Sequence, residues 1–367
     1  MEKVKSFAKK NAVMLVALCA AAFTAFIVPP DEQYIEYFDF KTLTCLFCVL
    51  AVVCALKNIG FFFSLAHAIV KRFANARSCI LVLVYITFIG SMFIANDMAL
   101  LTFLPLGYLV LTSTGEEGYL AFTFIMQNIA ANLGGMLTPF GNPQNLYLYT
   151  KFNIPTGEFM SIMLPPFLIS VALITLCCII FVKKEPLAIR GEKNDMPLWR
   201  TVVYLVLFVF SILIVFRFIP YWLGFIIIPL ALLFLDGKAL LSVDYPLLFT
   251  FVFFFIFAGN MARIDAVKNF FAGLLDINTL VFSVLSCQCI SNVPSAILLS
   301  QFTQNYPDLL VGVNIGGAGT LIASLASLIT FREYTSHYPN RVIRYILMFS
   351  LFNFGFLIIL TVIMSLI

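Results

Sequence analysis

The stretch from Asn128 to Asn145 limits this chain more than any other. It carries Gly134, Gly135 and Gly141, Pro139 and Pro143, and the amides Asn128, Asn132, Asn142, Gln144 and Asn145. Its surroundings are almost continuously apolar, with 62% hydrophobic and only 11% charged residues. A backbone broken in this way survives at membrane depth only where it is buried in protein or lines a wet cavity. The stretch is therefore either a loop outside the membrane or the working part of a membrane protein.

A mean hydropathy of +1.03 and repeated apolar runs long enough to cross about 30 Å of hydrocarbon indicate an all-α polytopic membrane protein. A transmembrane barrel would show weaker, alternating segments. Val13 to Val28 is too long for a signal-peptide core and no small-residue cleavage site follows it, so it reads as the first span. The nine cysteines fall mostly inside apolar runs. Cys45 and Cys48 have a metal-like spacing but no second pair or histidine cluster beside them, and read as small hydrophobes.

Taken in order, a basic head (Lys3, Lys5, Lys9, Lys10) precedes spans at about 11–28 and 40–56 and an interfacial amphipathic piece at 61–73. Two apolar arms then flank the polar tip Asn96-Asp97, which is the pattern of a re-entrant hairpin at about 78–112. Two ordinary spans joined by a minimal turn would read the same way. A broken helix at about 119–149 and a span at 160–182 complete the first half, residues 1–182. A hydrophilic linker at 183–198 (Lys183, Lys184, Arg190, Lys193) leads to the second half, 199–367. That half holds three spans, a second amphipathic piece, a hairpin at about 277–304 with the tip Ser291-Asn292, a broken helix at about 307–330 and a last span.

The halves superpose. Asn132-Leu-Gly-Gly-Met-Leu-Thr138 aligns without a gap on Asn314-Ile-Gly-Gly-Ala-Gly-Thr320, and Asn142 and Asn145 fall on Ser324 and Ser327. With the N-terminus inside and each hairpin non-crossing, nearly all Lys and Arg collect on the cytoplasmic side, leaving only Lys41, Lys151, Arg217, Arg263 and Lys268 outside. The repeats are then inverted, as in secondary transporters, with about nine transmembrane helices and the C-terminus outside. Counting each hairpin as two spans moves no loop across the membrane, so charge alone leaves re-entrance open.

Two tips and two broken helices thus converge near the midplane. Half-helices starting at a tip aim unsatisfied N–H groups into the cavity, and unwound carbonyls with Asn and Thr oxygens are hard ligands suited to Na⁺ or to a proton-linked site. The candidate substrate- and ion-binding residues are Asn96, Asp97, Thr138, Pro139, Gly141, Asn142, Asn145, Ser291, Asn292, Thr320, Ser324 and Ser327, with a Na⁺ site expected near Asn96, Asp97 and Asn142. Thr138, Gly141, Asn142 and Asn145 are expected to face Asn96 and Asp97. Each has a plainer reading. Asp97, Ser291 and Asn292 stand where helix N-caps stand. Pro139 and Pro143 would kink any helix, and small hydroxyl residues often serve helix packing in membranes. Asp97 is the sharpest case, because an acid at membrane depth ligates a cation, carries a proton or caps. No His-Glu-x-x-His or Gly-x-Ser-x-Gly motif is present, so an intramembrane enzyme is disfavoured and no catalytic residue is assigned.

At these residues the chain resembles the ion transporter superfamily of citrate carriers, arsenite permeases, sodium/proton antiporters and divalent anion/sodium symporters. Phe93-Ile-Ala-Asn-Asp97 with Thr102 to Pro105, Thr138-Pro-Phe-Gly-Asn-Pro-Gln-Asn145, and Ser291-Asn-Val-Pro294 with Val311 to Gly317 carry the likeness. The resemblance implies a scaffold and a mobile transport part, a homodimer in lipid, and elevator-like alternating access. It implies cation- or proton-coupled movement of a small anion, carboxylate or oxyanion, and no cofactor beyond a coupling ion, Na⁺ or H⁺. Na⁺/H⁺ exchange centred on Asp97 is the alternative. The symporter branch has Ser-Asn-Thr at both tips, whereas this chain has Ala95-Asn96-Asp97 and Ser291-Asn292-Val293. The expected location is a bacterial inner membrane, with no nucleic-acid partner.

Overall fold

The structure is a computed structural model that describes residues 11–70, 72–73, 75–186 and 197–367. The basic head, Lys71, Arg190 and Lys193 lie outside the described residues. Among the described residues the regular structure is helical, apart from one isolated bridge between Asn75 and Pro186.

Helix α1 (Ala12–Ile27) stops before Pro29-Pro30, and a 3-10 turn (Glu32–Tyr37) leads to α2 (Phe40–Asn58). Asp39 starts α2 by accepting from the Thr42 amide at 2.9 Å. Helix α3 (Phe61–Val70) is short and amphipathic; α4 (Ala76–Ser91) begins where Asn75 accepts from the Ser78 amide at 2.9 Å, and α5 (Asn96–Ser113) follows a tight turn. The broken region is α6 (Leu120–Gly134), an irregular segment, and α7 (Pro143–Lys151), followed by α8 (Thr156–Phe181). The second half contains α9 (Leu198–Val215), α10 (Tyr221–Leu235), a single turn α11 (Gly237–Leu241) and α12 (Tyr245–Ala262). It continues with α13 (Asp265–Ile290), α14 (Asn292–Leu299), α15 (Tyr306–Gly316), α16 (Leu325–His337) and α17 (Val342–Leu366). Helix α13 is two limbs. Asn278 leaves helical geometry (φ −163°, ψ 99°) and its side chain starts the second limb by accepting from the Val281 amide at 2.9 Å.

Among the described residues seven helical stretches are long and apolar enough to cross a membrane: α2, α8, α9, α12, α13, Glu117–Leu137 around α6 and Pro339–Leu366 around α17. Against an expectation of about nine crossings, α1 and α10 are apolar but shorter, and the second broken helix is split between α15 and α16.

The helices pack as two bundles. One contains α1 against α12, and α2 against α9, α10 and α11. The other contains α4, α5 and α6 together, α13 with α14 and α15, and α8, α16 and α17 around them. Their main mutual contacts run through α7 and α14, which touch α2 and α12 respectively.

Side-chain ties define the two ends of the molecule. At one end the Ala76 amide donates to Glu185 O (2.8 Å), Arg77 Nε to Val182 O (2.7 Å), and the Tyr338 hydroxyl to Glu117 Oε2 (3.0 Å). Both ends of the α4–α5 pair therefore lie here. At the other end Arg263 pairs with Asp31 at 2.6 Å and Lys151 donates to Gln301 Oε1 at 3.2 Å. The Arg263 guanidinium holds the Asp31 carboxyl below its ordinary range by hydrogen bonding. The first limb of α13 and the end of α14 meet at this end through stacked Phe271 and Phe302 rings, 5.2 Å apart.

Candidate functional site

A cavity of about 640 Å³ opens between the bundles. Asn96, Asp97, Gln144, Ser291, Asn292 and Ser324 line it, and so do Lys57, Asp244 and Arg332, the last on the limb of α16 that leads to the Glu117–Tyr338 end. Both tips and both broken segments therefore reach one space.

Behind the cavity lies a layer of buried amides. Asn96 Nδ2 donates to Asn132 Oδ1 at 3.2 Å, and Ser324 Oγ donates to the same oxygen at 2.8 Å. Asn142 Nδ2 donates to Asn314 Oδ1 at 3.1 Å and to Asn132 O at 3.2 Å. Gln144 also reaches Asn314 Oδ1, at 3.3 Å, and Asn314 Nδ2 donates to Asn145 Oδ1 at 2.6 Å. Asn132 matches Asn314 in the sequence alignment, and Asn142 matches Ser324. The contacts Asn142 to Asn314 and Ser324 to Asn132 are thus the same contact made in both directions across the two halves. Most of these buried groups satisfy one another, while Asn142 Oδ1 and Gln144 Oε1 keep no partner among the described residues.

Glycine makes the approach close enough. A Cβ on Gly135 would stand 2.5 Å from Asn142 Oδ1, and one on Gly317 3.0 Å from Asn292 Nδ2. The break itself is held by Asn145, whose Nδ2 donates to the carbonyls of Gly135, Met136 and Thr138 at 3.2 to 3.3 Å. These are carbonyls that a continued helix would have satisfied itself.

Two sequence readings need correction. Asp97 does not cap: α5 begins at Asn96, Ala95 occupies the cap position, and Asp97 Oδ1 is buried with no hydrogen-bond partner among the described residues. Ser291 does occupy the N-cap position of α14, but its side chain makes no cap bond. It sits at φ +77°, and its hydroxyl donates to Ala323 O at 3.2 Å. Thr138 does not face Asn96. Its hydroxyl donates to Met92 O at 2.7 Å, satisfying a carbonyl just past the end of α4, while Asn132 takes the place beside Asn96.

Of the other candidates, Asn292 accepts from the Val293 amide at 2.9 Å and donates its own amide to Ala323 O at 2.9 Å, tying the second tip to the second broken segment. Pro139 and Gly141 are buried within the first broken segment. Thr320 stands apart from the cavity, held by Gln288 through its amide (2.8 Å) and hydroxyl (3.3 Å). Ser327 belongs to a separate buried cluster in which Asn128 Nδ2 donates to Ser327 Oγ and Asn353 Oδ1, each at 3.3 Å. Sequence reasoning passed over Gln144, Gln288 and Asn353 as site residues. Asn132 and Asn314 were visible as the shared asparagine of the two copies, and that coincidence is the signal that marks them as central.

The model of the family described as "Citrate transporter" matches residues 2–307. The chain belongs to the citrate transporter family. This family member is 33% identical over 336 residues to an uncharacterized transporter of Methanocaldococcus jannaschii, covering 91% of each chain. It is 27% identical over 328 residues to the inner membrane protein YbiR of Escherichia coli (strain K12), covering 87% of this chain and 86% of that one. A shorter match, 29% over 143 residues, is to a silicon efflux transporter of Oryza sativa subsp. japonica, covering 39% of this chain and 29% of the relative. The protein is an integral membrane transporter, and neither its family nor these relatives are enzymes.

Proposed function

We propose that the protein is a secondary active transporter for a small carboxylate or oxyanion, driven by Na⁺ or H⁺, and that the α4–α8 and α13–α17 bundle moves past the other as an elevator. The observation that carries this reading is the single cavity reached by both tips and both broken segments, backed by the reciprocal Asn142–Asn314 and Ser324–Asn132 contacts. Reciprocity of this kind is what inverted repeats 1–182 and 199–367 would produce, with α4–α5 and the second limb of α13 with α14 as hairpins entering from opposite faces. Lys57 and Arg332 supply positive charge along the cavity for an anion. Asp97 and Gln144 each keep a buried acceptor oxygen without a partner among the described residues, a hard-oxygen setting for a coupling cation. The excess of Lys and Arg at that end supports a cytoplasmic cavity mouth.

Uptake of labelled citrate, and in parallel of an inorganic oxyanion, into proteoliposomes tests the reading. An imposed Na⁺ or proton gradient should accelerate flux of at least one of them several-fold over protein-free vesicles. Gradient-insensitive uptake of both would sink it. The unpartnered carboxylate oxygen of Asp97 favours one further reading, Na⁺/H⁺ exchange centred on that residue. Sodium-driven proton movement in the absence of any anion substrate is its distinguishing outcome.

A further inference from the structure

At the end of the molecule away from the cavity mouth, α9 finishes in an unusual way. The Phe218 amide bonds Leu213 O and the Arg217 amide bonds Ile214 O, both at 3.0 Å. This is the Schellman ending, and it places Arg217 in the left-handed region at φ +67°. Glycine is the default there because it has no Cβ to clash. Two other helices with the same ending obey that preference. The corresponding position after α5 is Gly115 (φ +80°), and after α7 it is Asn153 (φ +50°), a residue that tolerates this region. An arginine held in a conformation that disfavours any side chain points to work done by that side chain.

That side chain reaches from one bundle to the other. Arg217 Nη2 donates to Tyr149 O at 2.7 Å, and the guanidinium lies 4.1 Å from the centroid of the Tyr149 ring. Tyr149 O also accepts from the Ile154 amide at 3.1 Å, so Arg217 takes the second lone pair of the carbonyl that closes α7. Next to it Phe216 meets Phe140 edge-on, ring centroids 5.7 Å apart. Phe140 lies in the first broken segment, and Tyr149 in the half-helix that follows it. Two adjacent residues at the end of α9 thus grip the part of the moving bundle that carries Asn142 and Gln144, opposite the end toward which the cavity opens.

We propose that Arg217 is a positioning residue, a latch that holds the moving bundle in its cytoplasm-facing position and must let go of Tyr149 for the site to reach the other face. This rests on the elevator reading. Arg217→Gly is the informative variant, because it removes the side chain while suiting the backbone, so relief of the backbone offsets the lost bond and the protein should melt within a few degrees of the wild-type temperature.

Spin labels at Phe218→Cys on the static bundle and Gly157→Cys on the moving one report their separation, with the exposed Cys19 and Cys289 changed to Ser. Wild-type protein in lipid should show one dominant short distance, with a longer one emerging when citrate and Na⁺ are added. Arg217→Gly should raise the ratio of long to short distances about tenfold without ligand, the weight of one charge-assisted hydrogen bond. Arg217→Lys should lie between, since the ammonium keeps a donor but loses the planar stack. If ligand lengthens the wild-type distance while Arg217→Gly leaves the ligand-free ratio unchanged, the latch is wrong and the elevator stands. A single distance in every variant and condition, citrate and Na⁺ included, overturns both.

Discussion

Asp97 and Gly134 show what single positions do here. Among the described residues Asp97 Oδ1 has no hydrogen-bond partner, and Asp97 lines the cavity. Under the proposed function that oxygen is where a mobile cation or proton would bind. Asp97→Asn keeps the size and one acceptor oxygen but loses the charge and the proton. If Asp97 carries the coupled proton or ligates the coupled cation, gradient-driven uptake should fall at least tenfold while the melting temperature in detergent holds. Retention of more than half the wild-type flux would remove Asp97 from the coupling step. Gly134 has no such latitude. A Cβ there would stand 2.1 Å from the backbone oxygen of Phe88 and 2.7 Å from Ser91 Oγ, so α6 and α4 would have to part. Gly134→Ala should therefore cost about 1–3 kcal/mol. Gly157→Ala, where a new Cβ meets nothing within 4 Å, should stay within about 0.5 kcal/mol of wild type. Thermal unfolding in the same detergent compares the two directly.

Helix α17 teaches the same lesson at the next scale. It is a long apolar helix with one fully buried amide, Asn353, which accepts from Asn128 Nδ2 at 3.3 Å and donates to Phe349 O at 2.9 Å. Helices in lipid gain little from apolar contact alone, so a single amide fixes which face docks and onto what. Asn353→Leu should lower stability by about 1 kcal/mol and loosen α17 from α6, seen as faster hydrogen exchange along α17 only. Uniform exchange over the whole chain would contradict that local role. The elements were legible in the sequence to the degree that apolar runs and breakers define them: the ends of α1, α2, α4 and α5, the kink between the limbs of α13, and the two breaks after Gly134 and Gly316 all fall at or near Pro, Gly, Asn or Asp. Partnership was not legible. Nothing in the pattern around Thr138 tells whether its hydroxyl looks to a ligand or to Met92 O, because that depends on where α4 ends in space. Asn353 was hidden for the converse reason, since one amide in a 25-residue apolar helix leaves the hydropathy unchanged.

For the whole molecule, the division into two bundles matters more than the number of crossings. The chain passes between the bundles at α3, at the linker after α8 and along the first limb of α13, while α7 and α14 carry the contact between them. The amide layer belongs wholly to one bundle, so in the proposed cycle it would travel with that bundle without being rebuilt. In the proposed cycle the cavity's cationic residue Lys57, on the other bundle, is left behind. Anion affinity should then differ between the two faces of the membrane, and half-saturation for citrate measured from each side of oriented vesicles reads the difference.

The connections α3 and the first limb of α13 have a mechanical consequence of their own. Both are helical, and at 1.5 Å per residue they measure about 15 and 20 Å. A helix resists stretching far more than a coil linker does, so each acts as a crank arm pivoted at its ends, at Gly60 with its positive φ of 71° and at the non-helical Asn278. Arms of fixed length turn vertical travel into swing. In the proposed cycle the travel of the moving bundle is therefore limited by the length of these arms, and the bundle rotates as it climbs.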